Sequence, residues 1–380
     1  MRVCLVTAHL GNAFHASNPI NVRGAEVQYL LLAHALAERF DVHIVTSPPD
    51  NDGPVELPAG FRVHFVDPAW RNVKGRLPRA RLYAKAFRQA LAQADADVYM
   101  QTILSLDTLL TQRFCRRAQR AFVYHWASDA DVDRLTKPGR RLTAWAYSRA
   151  RKSASHQVCQ TRTQHALLTG REQARASVVP NLLDTRLQWT PDAGRHDQVL
   201  WLGAIGPGFK RPDLFLDLAE ALPHRAFRMV GVLQGPDAFV QGVKTRAERL
   251  ANLEFVGFVA SRKDLPAQYA AARCHVSLSD YEGFANTFLE AFASGVPVVS
   301  LNADPNDLLE GAGAGRCARG NFASMVRLVD AMFDDDAWQR HRKAALAVAD
   351  AHRPGPIGEK FAAALGKAVA AAGVEVRRGR

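Results

Sequence analysis

Short runs of apolar, β-branched residues alternate along this chain with longer stretches of helical periodicity. In the first half, residues 3–7, 42–46, 63–66, 98–101, 122–125, 157–160 and 177–181 predict strands. Helical patterns at 25–39, 79–94, 107–117 and 141–152 lie between them. Residues 182–197 are polar, carry Pro191 and Gly194, and predict a linker. A second series follows, with strands at 199–202, 227–232, 253–256, 275–279 and 297–301. Its helices fall at about 212–222, 237–249, 265–272, 286–293 and 322–333, and a last helical pattern covers 357–372. Strand-then-helix alternation implies parallel sheets covered on both faces. The expected fold class is α/β, with two Rossmann-like doubly wound domains facing a central cleft. The boundaries expected are 1–185, 186–355 and a C-terminal helical segment, 356–380, packing back on the first domain. Ligands of such sheets bind beyond the carboxyl ends of the strands, so the cleft is the default site.

Length and composition agree with that picture. The chain has 380 residues, 48% hydrophobic and 23% charged, which suits two globular domains and excludes global disorder or coiled coil. The five cysteines are scattered with no CxxC pair, against a disulfide framework or a zinc site. The start, MRVCLVTAHLGNAF, reads as a first strand, not a signal peptide. No window approaches the roughly 18–20 apolar residues of a spanning helix, so a cytoplasmic protein is expected, able to rest on the inner face of a membrane.

The charge of +12 is uneven. Residues 1–190 hold 26 Lys and Arg against 15 Asp and Glu, while residues 191–380 hold 23 against 22. Two segments carry much of the excess without an intervening acid: Arg71, Lys74, Arg76, Arg79, Arg81, Lys85 and Arg88, then Arg134, Lys137, Arg140, Arg141, Arg149, Arg151 and Lys152. Such a face attracts an anionic membrane surface, a nucleic acid or an acidic substrate, or is a solvated surface.

The strongest chemical signal is SDYEGFANTFLEAFASGVPVVS, residues 279–300. A strand is expected to end at Ser279, a loop with Gly283 to follow, and a helix to open near Asn286 and stop at Gly295. A helix N-terminus at the end of a parallel strand offers N–H groups and a positive dipole end to a phosphate. Glu282 stands just before that helix and Glu290 eight residues on. At about 1.5 Å per residue, roughly 10 Å separates them along the axis, about the span from a sugar past a diphosphate to a ribose. Alone, both glutamates read equally as solvated charges.

The wider string resembles the Glu-x7-Glu signature of the retaining nucleotide-sugar glycosyltransferases of the GT-B fold, family 4 or group 1. Other segments appear in that family's order: Arg23-Gly24-Ala25-Glu26-Val27-Gln28 at a helix start, Tyr124-His125-Trp126 at a strand end, Val179-Pro180-Asn181, Leu202-Gly203 through Lys210-Arg211-Pro212, and Phe255-Val256-Gly257-Phe258-Val259. The resemblance implies catalytic roles for Glu282, His125 and Lys210. Glu282 and His125 would bind the donor sugar, and Lys210 would neutralise the leaving diphosphate. It implies donor binding by Gly24, Gly257, Phe258, Gly283, Phe284, Asn286, Thr287 and Glu290, with Glu290 on the ribose. Two positions depart from the family: Arg23 replaces a glycine, and Ala204 stands where a basic residue is common. Arg211 is a candidate substitute for the lost diphosphate contact. No metal and no cofactor is expected, and the partners implied are a nucleotide-sugar donor and a glycan or lipid-linked acceptor.

Asp95–Asp97 and Asp334–Asp336 read as caps or turns, whereas Asp129 and Asp131 are possible acceptor contacts. His9 and His15 sit in the loop after the first strand without an assigned role. The GxGxxG fingerprint is absent there, against a nicotinamide enzyme. The function expected is transfer of a sugar from a nucleoside diphosphate to an acceptor hydroxyl with retention, in polysaccharide, glycolipid or glycoconjugate synthesis. The alternatives are a nucleotide-sugar epimerase or hydrolase of the same fold, or a basic nucleic-acid-binding protein. The last is disfavoured because the basic segments lack interleaved aromatics.

Overall fold

The protein is described by a computed structural model that covers residues 1–15, 24–50, 54–127, 141–191, 197–259 and 261–376. The chain divides into two units: Met1–Leu182 with Pro354–Arg380, and Leu183–Arg353. Each is a parallel sheet wrapped by helices, so the expected pair of Rossmann-like doubly wound domains is what the chain forms.

The first unit has strands β1 (Arg2–Val6), β2 (Asp41–Thr46), β3 (Phe61–Phe65), β4 (Val98–Thr102), β5 (Ala121–His125), β6 (His156–Cys159) and β7 (Ala176–Val178) in the order β3-β2-β1-β4-β5-β6-β7. Every pairing is parallel. The central strands are near-continuous apolar runs because helices cover both faces. Helices α1 (Gly24–Ala37), α2 (Arg76–Ala94), α3 (Leu106–Ala118) and α4 (Arg141–Lys152) connect them, with two short ones, α5 (Arg162–Ala166) and α6 (Arg171–Ala174). Helix α2 starts three residues before the pattern suggests, because Pro78 falls in its first turn, where no N–H partner is needed.

The second unit has β8 (Gln198–Leu202), β9 (Ala226–Val230), β10 (Leu253–Gly257), β11 (Ala272–Ser277), β12 (Val298–Ser300) and β13 (Gly315–Cys317), in the order β10-β9-β8-β11-β12-β13. Its helices are α7 (Pro212–Ala221), α8 (Asp237–Glu248), α9 (Leu265–Ala270), α10 (Asn286–Ala293), α11 (Phe322–Ala331) and α12 (Asp335–Ala351). The chain then returns: α13 (Pro354–Ala372) packs Ile357, Phe361, Ala364, Leu365 and Ala368 into one core with Val3, Leu5, Val98 and Val123 of the first sheet. Among the described residues no helix is long and apolar enough to cross a membrane.

Candidate active site

In both sheets the chain order reverses beside the first strand. In the second unit this places the loops after β8 and β11 next to each other, the topological switch point where ligands of open α/β sheets bind. The two loops are joined residue by residue. The Asp280 amide donates to the Phe209 carbonyl at 2.8 Å. The rings of Phe209 and Tyr281 stack at 5.0 Å and 19°. Lys210 is ion-paired with Glu282. Arg211 reaches Asp280 at 3.2 Å and Asp213 at 2.8 Å. Arg211 is held at φ +52°, a left-handed conformation that turns the chain into α7, where Pro212 occupies the first helical position. Its guanidinium is therefore engaged by two carboxylates, and it braces the loop.

Glu282 is the centre of this group. Its Oε1 also accepts a hydrogen bond from the Ser279 hydroxyl at 2.7 Å. Behind it His275 is buried, and burial together with the Lys210 charge pushes its imidazole down to about 3, so it stays neutral. Helix α10 then opens at Asn286 after Ala285, whose side chain accepts none of the first-turn N–H groups. That end faces the switch point with its dipole positive. Thr287 is half-buried and its carbonyl accepts from the Tyr269 hydroxyl at 3.4 Å. Phe284 turns inward against His352 at 5.6 Å, so only its backbone belongs to the site; Gly283 beside it is half-buried.

Glu290 lies about one turn into α10 and is 5% exposed. Arg262 donates to its Oε1 at 2.9 Å and Tyr269 to its Oε2 at 3.1 Å. Burial, then the carboxylate itself, holds the Tyr269 hydroxyl well above its usual range, so it remains a donor. At the end of β10, Gly257 takes φ +74° and Phe258 presents its ring to solvent, 46% exposed.

In the first unit Gly24 is the exposed first residue of α1. His125 ends β5, but its ring is buried, stacked on Tyr29 at 5.6 Å and edge-on to Phe361 at 5.5 Å. Burial pushes it down to about 4, and neither ring nitrogen has a hydrogen-bond partner among the described residues. Glu26, one turn before Tyr29 on the same helix face, is likewise buried, and neither of its oxygens is hydrogen-bonded among the described residues. Glu26 was legible as part of the glycine-containing helix start but carried no role there. Phe209 and Tyr281 lie inside segments that stand out in the sequence but carry no role there, and Arg262 and Tyr269 have no local signal.

Other candidates resolve as structure. Asp97 is buried, accepting from the Arg2 amide at 2.8 Å, and Asp334 caps α12 through the Ala337 amide at 2.8 Å. Arg151, counted in the second basic segment, is internal: it bonds Gln157 at 2.9 Å and Glu172 at 3.0 Å and lies over the Trp126 ring. Arg23, Asp129, Asp131, Arg134, Lys137 and Arg140 lie outside the described residues.

Comparison with known proteins defines the class. Residues 23–182 match the family model described as a glycosyl transferase 4-like domain, and residues 196–335 match that of glycosyl transferases group 1. Anabaena HepE, solved with UDP and glucose, superposes with a TM-score of 0.72 at 18% identity, covering 96% of this chain and 99% of that one. Sucrose-phosphate synthase of Thermosynechococcus elongatus gives 0.72 at 16% identity, covering 98% and 100%. The lipopolysaccharide outer core galactosyltransferase WaaB gives 0.68 at 15%, covering 96% and 99%. A 77-residue stretch is 42% identical to O-antigen chain mannosyltransferase B of Escherichia coli, covering 17% of this chain and 20% of that relative. The protein is a glycosyltransferase of the GT-B type. Its first domain is of the glycosyl transferase 4-like kind and its second of group 1.

Proposed function

We propose that this chain transfers a sugar from a nucleoside diphosphate to an acceptor hydroxyl, with retention at the anomeric carbon, in the assembly of a glycan or glycolipid. The observation that carries the reading is the Lys210–Glu282 pair at the switch point of the second sheet, set before the N-terminus of α10 with Glu290 eight residues on. Glu282 would take hydroxyls of the donor sugar and Glu290 those of the ribose. The diphosphate would lie on the first amides of α10, and Phe258 would meet the base.

Negative charge grows on the diphosphate as the glycosidic bond breaks. A fixed ammonium and a helix N-terminus stabilise that charge most in the transition state. Lys210 is already positioned by Glu282, so little reorganisation is needed when its charge is shared with the phosphates. Among the described residues, His125 and Glu26 are two of several buried polar groups of the first unit that find no hydrogen-bond partner, and we assign these two to substrate hydroxyls. A same-face displacement, in which the leaving phosphate assists removal of the acceptor proton, needs no carboxylate nucleophile and no metal. The UDP in the HepE structure and the names of the lipopolysaccharide-related relatives support the donor and product class. Membrane association of the basic first unit belongs to the same proposal.

The test begins with a panel of nucleotide sugars in a thermal-shift assay, since a specific ligand raises stability with its affinity. With the donor found, Glu282→Ala and Lys210→Ala should each lower kcat by about a hundredfold or more, the scale of losing one charge-stabilising group, without lowering the melting temperature greatly. NMR of the product should show the donor's anomeric configuration, and chelator should leave the rate unchanged. Full activity in either variant, or an inverted product, would defeat the assignment.

A further inference from the structure

Two aromatic rings at the switch point of the second sheet have no part in the proposed donor site. Phe209, in the loop after β8, is 37% exposed, and Tyr281, in the loop after β11, is 48% exposed. Single exposed apolar side chains are ordinary on a protein surface. These two are a built pair. They come from different loops and stack at 5.0 Å with 19° between their planes. Both loops are pinned beside the rings: the Asp280 amide donates to the Phe209 carbonyl at 2.8 Å, and Arg211 reaches Asp280 at 3.2 Å.

Each ring is the chain neighbour of a group assigned to the donor, since Phe209 precedes Lys210 and Tyr281 precedes Glu282. In both pairs the charged side chain turns in and the aromatic one turns out. The Glu282 side chain is 10% exposed and is engaged by Lys210 and by the Ser279 hydroxyl. Phe209 gives one face to Tyr281 and has the Lys210 ammonium 5.2 Å from its centre. Tyr281 has no further ring contact, and its hydroxyl no hydrogen bond, among the described residues. It therefore offers an open aromatic face with a hydroxyl at its edge, held from behind by a second ring.

An aromatic face is electron-rich and its edge electron-poor. A pyranose presents the complement. One side of its ring is a patch of weakly positive C–H bonds, and its rim is a set of hydroxyls. Laid on Tyr281, the C–H patch meets the ring face, a rim hydroxyl reaches the phenol, and the remaining hydroxyls stay in water. A nucleobase would stack as well, but in the proposed donor site the base meets Phe258, whereas Tyr281 flanks the carboxylate at the sugar end. Because Glu282 turns in and Tyr281 turns out, a ring on Tyr281 lies beside the sugar that Glu282 holds and does not replace it.

We propose that Tyr281, braced by Phe209, is a saccharide platform that takes a sugar ring of the acceptor. The acceptor end recognised is thus a glycan, whose own hydroxyl receives the transferred sugar. The word acceptor rests on the proposed transferase reading; binding of a sugar ring to Tyr281 does not.

Saturation-transfer NMR of the full chain, with irradiation of the aromatic protons, tests it on the methyl glycosides of glucose, galactose, mannose and N-acetylglucosamine. Glycerol serves as a control that carries hydroxyls without a ring. At least one glycoside should take up saturation on its ring C–H protons, and glycerol none. Tyr281→Ala should weaken binding of that glycoside about tenfold, the scale of a lost stacking contact. Tyr281→Phe, which keeps the face, should bind it within about threefold of wild type. Both variants should keep the wild-type melting temperature. A nucleotide sugar that stabilises the wild type should stabilise Tyr281→Ala by the same shift, and should leave the glycoside signal in place. Absence of glycoside binding, undiminished binding in Tyr281→Ala, or a loss in Tyr281→Phe as large as in Tyr281→Ala would overturn the proposal. So would displacement of the glycoside by the nucleotide sugar, which would put the ring in the donor's own pocket. If glycosides bind as stated and no nucleotide sugar does, the platform stands and the transferase reading falls.

Discussion

Glu290 shows how a site residue is tuned by neighbours that sequence does not reveal. Its place eight residues after Glu282 is legible; the two groups that hold it, Arg262 and Tyr269, come from a turn and a helix that precede it by 28 and 21 residues. Arg262, which also lies 3.9 Å from Asp184, pairs with the Glu290 oxygen that, in the proposed site, ribose hydroxyls would use, so nucleotide binding would exchange one partner for another. Tyr269 fixes the other oxygen. A hydrogen bond to a charged group contributes about 1.5–3 kcal/mol. Tyr269→Phe should therefore raise the donor KM by about tenfold to a hundredfold and leave kcat within about twofold. Steady-state kinetics check this; a fall in kcat with KM unchanged would remove Glu290 from the ribose. Lys210 and Glu282 illustrate the same limit, since 72 residues separate partners in direct contact.

At the scale of elements, the strands are readable because buried parallel strands are short apolar runs rich in valine, as in VCLV and VPVV. What escaped had weaker signals. Strand β13 is only Gly-Arg-Cys, with Arg316 exposed. Helix α12 buries Trp338, Ala345, Val348 and Ala349, a stripe built half from alanine, behind an acidic first turn that reads as a loop. Helix α13 carries the clearest energetic consequence. Phe361 is 1% exposed, packs edge-on to His125 and joins the core of the first sheet. Phe361→Ala should cost about 3–5 kcal/mol, the usual range for a buried phenylalanine. Differential scanning calorimetry with saturating nucleotide should show the transition of the first unit lowered and that of the second unit unmoved. Equal shifts in both would mean that the helix stabilises something other than the first core.

For the whole molecule, the asymmetry of charge becomes a surface. Between α3 and α4 a groove of about 740 Å³ collects Arg113, Arg116, Arg149 and Lys152 around Trp145, which is 63% exposed. Exposed tryptophan among arginines suits the boundary between water and lipid, and each charge near an anionic surface contributes about 1 kcal/mol. The full chain should co-sediment with phosphatidylglycerol vesicles and not with phosphatidylcholine. Trp145→Ala with Arg149→Gln should weaken that binding about tenfold, the equivalent of 1.4 kcal/mol; equal sedimentation with both lipids would dismiss the electrostatic case. The return of the chain at Pro354 has a temporal meaning as well. Synthesis must run through the entire inserted unit before the last core segment of the first one emerges. At about 5–20 residues per second that delay is roughly ten to thirty seconds. During it the first sheet waits with one flank bare while its younger neighbour is free to finish, so the ribosome-bound protein should need a chaperone's shelter along the surface that α13 will later cover.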